Sequence, residues 1–282
     1  MKFKILVTCF ILVNTINCDT KKEYFDDVTA NLLCRTYAVC NGSTPARTGI
    51  IGDSWTDLLL GYPAVETLRN QLENNHGYKF VGATLGGKTM QQVVNQGLQF
   101  QVIDEAGADV SAILLSLGGN DVQANLTEYV GNIQGVQNQR FAQIRTNLLT
   151  IVRTGNAFKQ SKYGGQPIKW VIHGYDYPNP YLSPAIPNAD EGCETKFNRS
   201  GLTPANAGVF TQQQLDGLNT LYKQVADEEP TLYYIDLRRT LGGPPISKAE
   251  LMVDCIHANN LGFKLLAEKM APLIKPITNV GL

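Results

Sequence analysis

The sequence predicts a three-layer α/β/α domain built on a parallel sheet. Three observations predict it. Apolar strand-like runs alternate with segments of helical spacing along most of the chain. The strand-like runs, such as Val110 to Leu117, are continuously apolar, as expected of strands covered on both faces. Short glycine-rich or polar turns close several of these runs, at the strand ends where open α/β sheets bind ligands.

The 282 residues are 43% hydrophobic and 17% charged, a composition that suits one large globular domain, with no internal repeat and no linker. A net charge of −1 gives no electrostatic basis for binding nucleic acid or an anionic membrane. Lys2 and Lys4 precede an apolar run from Ile5 to Val13, too short to span a bilayer. The pattern predicts a secretory signal over residues 1–18 and a single domain over 19–282. A lipid anchor on Cys18 is the lesser alternative, because Thr15-Ile16-Asn17 suits it poorly. Secretion gives meaning to the glycosylation acceptors at Asn41, Asn125 and Asn198. It also gives meaning to Cys34, Cys40, Cys193 and Cys255, which could form two disulfides in three connectivities. Cys34–Cys40 is the simplest closure and leaves Cys193–Cys255; cross-pairing and free buried thiols stay open. No spacing typical of zinc ligands is present.

In order along the chain, residues 19–46 read as a polar lead-in. Gly49 to Gly52 ends a buried strand, followed by Asp53-Ser54-Trp55-Thr56 and a helix soon after. Taken alone, this is an ordinary strand-to-helix turn capped by Asp53 or Ser54. It also suits a nucleophile, because Gly52 permits a sharp turn and a following helix would aim its N–H groups there. Pro63 to Asn75 has helical spacing and Tyr78 to Leu85 reads as a second strand, stopped by Gly86-Gly87. Thr89 to Asn95 and part of 98–106 read as helix, then Val110 to Leu117 as strand, closed by Gly118-Gly119-Asn120-Asp121. Residues 122–136 lack clear periodicity. Phe141, Ile144, Leu148, Ile151 and Val152 mark a long helix, and Ile168 to His173 a strand. A Pro- and Tyr-rich loop is expected from Tyr175 to about Asn206, a length usually functional or disordered. Gln212 to Glu228 reads as helix, Thr231 to Leu237 as the last strand, and Asn260 to Ile274 as the last helix.

The chemistry follows from what the strand ends carry. A serine hydroxyl is a poor nucleophile unless an imidazole takes its proton. The chain has three histidines. His76 reads as an exposed helix end. His257 has Asp254 three residues before it, close enough in a tight turn to orient the ring by accepting from Nδ1. His173 ends a strand and would either bind substrate, with Tyr175 and Tyr177, or pack in the core. Asn120 alone reads as a turn residue, and Asp121 as a brace for its turn.

Four blocks together resemble the SGNH, or GDSL-like, hydrolases: Gly52-Asp53-Ser54, Leu85-Gly86-Gly87-Lys88-Thr89, Gly118-Gly119-Asn120-Asp121 and Asp254-Cys255-Ile256-His257. Asn259 and Gly262-Phe263 extend the likeness. The asparagine usual before the second block's glycine is absent. The resemblance covers most of the chain beyond the signal. It implies a flavodoxin-like α/β/α sandwich and a serine esterase without metal or cofactor. It implies Ser54 as nucleophile, His257 as base and Asp254 as its partner. The oxyanion would be held by the N–H groups of Ser54 and Gly87 and the Asn120 amide. The aromatic loop at 175–206 suits an acetylated carbohydrate as the substrate class. A lipolytic acyl hydrolase or acyltransferase acting on phospholipids, and a non-catalytic module on the same fold, are the alternatives. A flavin-binding protein fits less well, because Gly-Asp-Ser-Trp offers few phosphate-binding hydroxyls.

Overall fold

Five apolar segments pair in a computed structural model, which describes residues 47–58, 65–82, 84–123, 126–182 and 202–279. The strands are β1 (Arg47–Gly52), β2 (Phe80–Val81), β3 (Val110–Ser116), β4 (Lys169–His173) and β5 (Leu232–Ile235). They form an all-parallel sheet in the order β2-β1-β3-β4-β5. The central runs Ile50-Ile51 and Ile113-Leu114-Leu115 are buried, which is why they carry no polar alternation.

The helices are α1 (Leu68–His76), α2 (Met90–Gln96), α3 (Leu98–Ala106), the short α4 (Gly119–Gln123), α5 (Ile133–Lys162), α6 (Pro204–Glu228) and α7 (Asn260–Thr278). α1 packs against α7, while α5 packs against α2, α3 and α6. The two groups cover the sheet as the outer layers of an α/β/α sandwich. The described residues lie in one compact unit, Ala46–Leu282.

The strand order is that of flavodoxin-like sheets, and it reverses direction between β1 and β3. A crevice opens at such a switch point, beyond the carboxyl ends of the strands. Ser54 follows β1 and Asn120 follows β3, so the topology sets them on either side of it.

Several expected elements change extent. The first helix begins at Leu68, well after the Ser54 turn, capped by Thr67 in a reciprocal box with Asn70. Its first amide does not face the crevice: Leu68 N donates to Trp55 O at 3.0 Å. β2 has only two residues, and Thr84 continues it as a single bridge to Gly52. Residues 122–136, without apparent period, hold the end of α4, a 3₁₀ turn (Leu126–Tyr129) and the start of α5. α6 begins at Pro204, inside the segment expected to be loop, with Pro where a helix's first turn tolerates a missing N–H. α7 runs to Thr278, past Pro276, and ends on Asn279 in the left-handed conformation. The expected signal, the lead-in, Cys34, Cys40, Cys193, Asn41, Asn125 and Asn198 lie outside the described residues.

Candidate active site

The nucleophile turn is built by Gly52 and Asp53. A Cβ on Gly52 would lie 1.9 Å from Thr56 Oγ1, so only glycine fits under the turn. Asp53 O accepts from Thr56 N and Asp57 N, both at 3.0 Å, which folds the chain back and lifts Ser54 out, half-buried. The Asp53 carboxylate is buried. It accepts from Trp55 N at 3.1 Å, Ser116 Oγ at 3.3 Å and Tyr175 OH at 2.6 Å. Burial pushes this carboxyl up to about 6, against the pull of those donors and of His257.

The other blocks converge on this turn. Leu85 N donates to Gly52 O at 3.0 Å and Lys88 N to Leu85 O at 3.3 Å, which closes the Gly86-Gly87 turn beside Ser54. A Cβ on Gly86 would sit 3.9 Å from that of Ser54, and Gly87 has φ 76°, where glycine is unstrained. Neither Ser54 N–H nor Gly87 N–H has a backbone acceptor among the described residues. Asn120 Nδ2 donates to Lys88 O at 3.1 Å, joining the third block to the second. Asp121 strengthens the same joint by accepting from Met90 N, at the start of α2, through both carboxylate oxygens at 3.2 and 3.1 Å. Burial raises the Asp121 carboxyl to about 6.

The last block is a short hairpin-like loop. Met252 bridges Ala258, and Val253 N donates to His257 O at 2.9 Å. Asp254 Oδ1 accepts from the backbone N–H of Ile256 and of His257, at 2.8 and 2.7 Å, which fixes the carboxylate. Its other oxygen meets His257 Nδ1 at 2.7 Å, and His257 Nε2 meets Ser54 Oγ at 2.7 Å. Burial would raise the Asp254 carboxyl, but His257 and the two amides outweigh it and hold it below the usual carboxylate range. Behind the loop, Asn259 caps α7 by accepting from Gly262 N at 3.0 Å. A Cβ on Gly262 would lie 2.4 Å from Leu251 O, so a side chain there would displace the loop.

Trp55 couples the two sides of the site. Its indole N–H donates to Ile256 O at 3.1 Å, within the Asp254–His257 loop. Its ring is buried against His173, Tyr175 and Phe263.

Of the three residues expected to bind substrate, only Tyr175 reaches the pocket beside Ser54. His173 is fully buried. Its Nδ1 lies 2.9 Å from Gly174 O, its Nε2 has no partner, and its ring stacks on Trp55. It is a core residue, because the end of β4 turns it inward rather than to the rim. Burial lowers it to about 4, which keeps it neutral at neutral pH. Tyr177 is buried too, with its hydroxyl spent on Asp216 at 2.9 Å. Asp53 and Trp55 stand in the Ser54 block without a role of their own in the sequence; their contacts with Tyr175 and Ile256 O make them parts of the site. An acid and a large aromatic flanking the serine, in a stretch otherwise small or apolar, were the available signals.

An imidazole between a carboxylate and a hydroxyl, with amide donors nearby, can activate the hydroxyl as a nucleophile and hold a developing oxyanion. The model of the GDSL-like lipase/acylhydrolase family matches residues 50–265. The chain belongs to that family. It is therefore a carboxylic ester hydrolase, with small-molecule esters as its class of substrate. Solved structures share the fold at low identity. A GDSL-like lipase from Bacteroides thetaiotaomicron is 12% identical, with a TM-score of 0.51 over 89% of this chain and 99% of that one. A carbohydrate acetylesterase family member from Sinorhizobium meliloti is 17% identical, with a TM-score of 0.52 over 83% and 100%. The lipase Lip_vut3 from a goat rumen metagenome is 16% identical, with a TM-score of 0.53 over 80% and 96%. No curated protein sequence matches the chain.

Proposed function

We propose that this member of the family is a secreted serine esterase that removes acyl groups, acetyl first among them, from a carbohydrate. The observation that carries the mechanism is the unbroken line from Asp254 through His257 to Ser54, with both contacts at 2.7 Å. Ser54 Oγ attacks the ester carbonyl while His257 Nε2 takes its proton. The tetrahedral oxyanion is met by the N–H groups of Ser54 and Gly87 and by the Asn120 amide. Each such donor typically contributes about 3 kcal/mol to the transition state. His257 then returns the proton to the departing alcohol, leaving an acyl-serine. A water that gives its proton to His257 attacks that ester, and the proton passes back to Ser54 as the acid leaves. Asp254 holds the ring in the tautomer that leaves Nε2 free to accept. No step needs a metal or cofactor.

Secretion is supported by Lys2, Lys4 and the apolar run behind them, and by the three glycosylation acceptors. Cys193–Cys255 is the proposed bond between the segment after β4 and the loop of the base. Cys255 is buried within the loop of the base, a setting that suits such a bond. A pairing of that span could add about 4 kcal/mol on the chain-entropy account.

One observation favours the lipolytic alternative. Leu85, half exposed in the glycine turn beside Ser54, offers an apolar contact at the rim. A comparison of acetylated xylan with phospholipid vesicles as substrates separates the two readings.

The mechanism and the secretion are tested together on protein recovered from the medium of a secreting cell and treated with a fluorophosphonate. Mapping should find the probe on Ser54, a Cys193–Cys255 cross-linked peptide and an N-terminus near residue 19. Ser54→Ala should abolish labelling and turnover. Undiminished esterase activity in that variant would refute the mechanism, and an intact residue 1–18 segment would refute the processing.

A further inference from the structure

We propose that Tyr175 sets the size of acyl group this enzyme accepts, by closing the acyl side of the Ser54 pocket so that short groups fit and long chains do not. The proposal rests on the esterase reading above.

The pocket's role follows from what lines it. The departing oxygen must end within hydrogen-bond reach of His257 Nε2, which protonates it. The pocket is lined by Ser54, Asn120, Gly119, Gln123 and Tyr175, and Ile256 borders it from the Asp254–His257 loop, while His257 itself is not part of the wall. The pocket thus opens beside Ser54 and the Asn120 amide without exposing the base that the leaving oxygen must reach, and receives the acyl part. Its empty space is small, about 300 Å³ even when counted out to open solvent.

Tyr175 forms the back of that space. Its ring atoms lie 3.1 to 3.4 Å from where a Gly119 Cβ would be, so ring and backbone already touch and leave no channel between β3 and β4. The ring cannot easily swing aside. Its hydroxyl donates to the buried Asp53 carboxylate at 2.6 Å, and Trp55 meets it edge-on at 4.8 Å between ring centres. Only 3% of Tyr175 is exposed, and the fully buried His173 packs against its ring. Moving the ring would strip a buried acid of its closest donor, which is costly. An acyl chain longer than the pocket must therefore turn out toward solvent.

Esters of p-nitrophenol with acetate, butyrate and octanoate test this on the full processed chain. The wild type should prefer acetate to octanoate by about tenfold or more in kcat/KM, since one badly placed methylene alone is worth about tenfold. Tyr175→Ala should raise the octanoate-to-acetate ratio by about tenfold or more. Tyr175→Phe keeps the ring and loses only the hydroxyl that helps hold it, and should shift the ratio much less than Tyr175→Ala, whatever it does to kcat. An unchanged ratio in Tyr175→Ala, or an equal shift in Tyr175→Phe, would overturn the gate. Should the alanine variant not fold, inactivation of the wild type by methyl and octyl fluorophosphonates decides instead. Faster inactivation by the methyl reagent supports the gate and equal rates overturn it. A wild type that neither hydrolyses any ester nor takes up either reagent would refute the esterase reading itself.

Discussion

At the scale of residues, the site depends on side chains whose surroundings prevent their usual behaviour. Asn120 is the clearest case. By itself it is a common turn residue, yet its amide is tied by one N–H to Lys88 O, which orients the group beside Ser54. A neutral amide held in this way adds little to ground-state binding and acts on charge that develops later. Asn120→Ala should lower kcat by roughly 10²–10³ with KM little changed, measured on p-nitrophenyl acetate. A rise in KM alone would make Asn120 a substrate-binding residue. The sequence showed Ser54, Asn120, Asp254 and His257 because each lies in a short block of fixed spacing. It offered Tyr175 beside the site and Asp53 within the first block, but not their contact, which spans 122 residues and which no local pattern encodes.

Elements matter because the proposed nucleophile and base come from loops far apart in the chain. Besides the contact of His257 with Ser54, the indole of Trp55 ties them directly. Trp55→Phe keeps most of the apolar ring but leaves Ile256 O without its donor. Losing one partner of a part-buried bond costs about 1–3 kcal/mol, and small misplacement of a catalytic group can cost about a hundredfold in rate. The variant should therefore unfold at lower urea and lose about tenfold or more in kcat/KM. If stability falls while kcat/KM holds, the tie serves folding alone. The α1 boundary makes a related point. The sequence offered Pro63 onward as helix, but Thr67 and Asn70 supply the cap, and the first amide is spent on Trp55 O. The helix thus braces the nucleophile turn from beneath instead of donating to an oxyanion.

For the whole molecule, buried titratable groups couple stability to pH with opposite signs. His173 is lowered from 6.5 to about 4 by burial. Between those values the unfolded chain binds a proton that the folded chain refuses, so stability rises with pH there and is lost as pH falls toward 4. This one group is worth on the order of 3 kcal/mol across that window. Asp53 and Asp121, raised from 3.8 to about 6, keep their protons in the folded state when the unfolded chain has lost them. They oppose His173, and their contribution declines as pH rises from about 4 to about 6. His173→Phe removes one side of this balance and keeps a ring against Trp55. Urea unfolding at pH 7 and pH 4.5 should show the variant gaining about 2 kcal/mol on the wild type toward the acid end. A constant difference would mean that charging His173 plays no part in acid unfolding.

Local chemistry in the sequence determined the sheet, most helices and the four blocks that meet at the candidate site. Buried parallel strands must be continuously apolar, and tight turns at strand ends require glycine. A base and its carboxylate need particular residue types at short spacing, as in Asp254 and His257. What only the tertiary structure decided are relations between distant segments. The order β2-β1-β3-β4-β5 puts Ser54 and Asn120 across one crevice. The inward turn at the end of β4 makes His173 a core residue and leaves Tyr175 at the pocket. α6 extends to Pro204 through residues that look like loop because burial, not local propensity, stabilises them, as Ala207 and Phe210 show. The physical reason is the same throughout. Periodicity and turn chemistry act over a few residues and can be read along a chain, whereas which buried group meets which is fixed only when the layers pack.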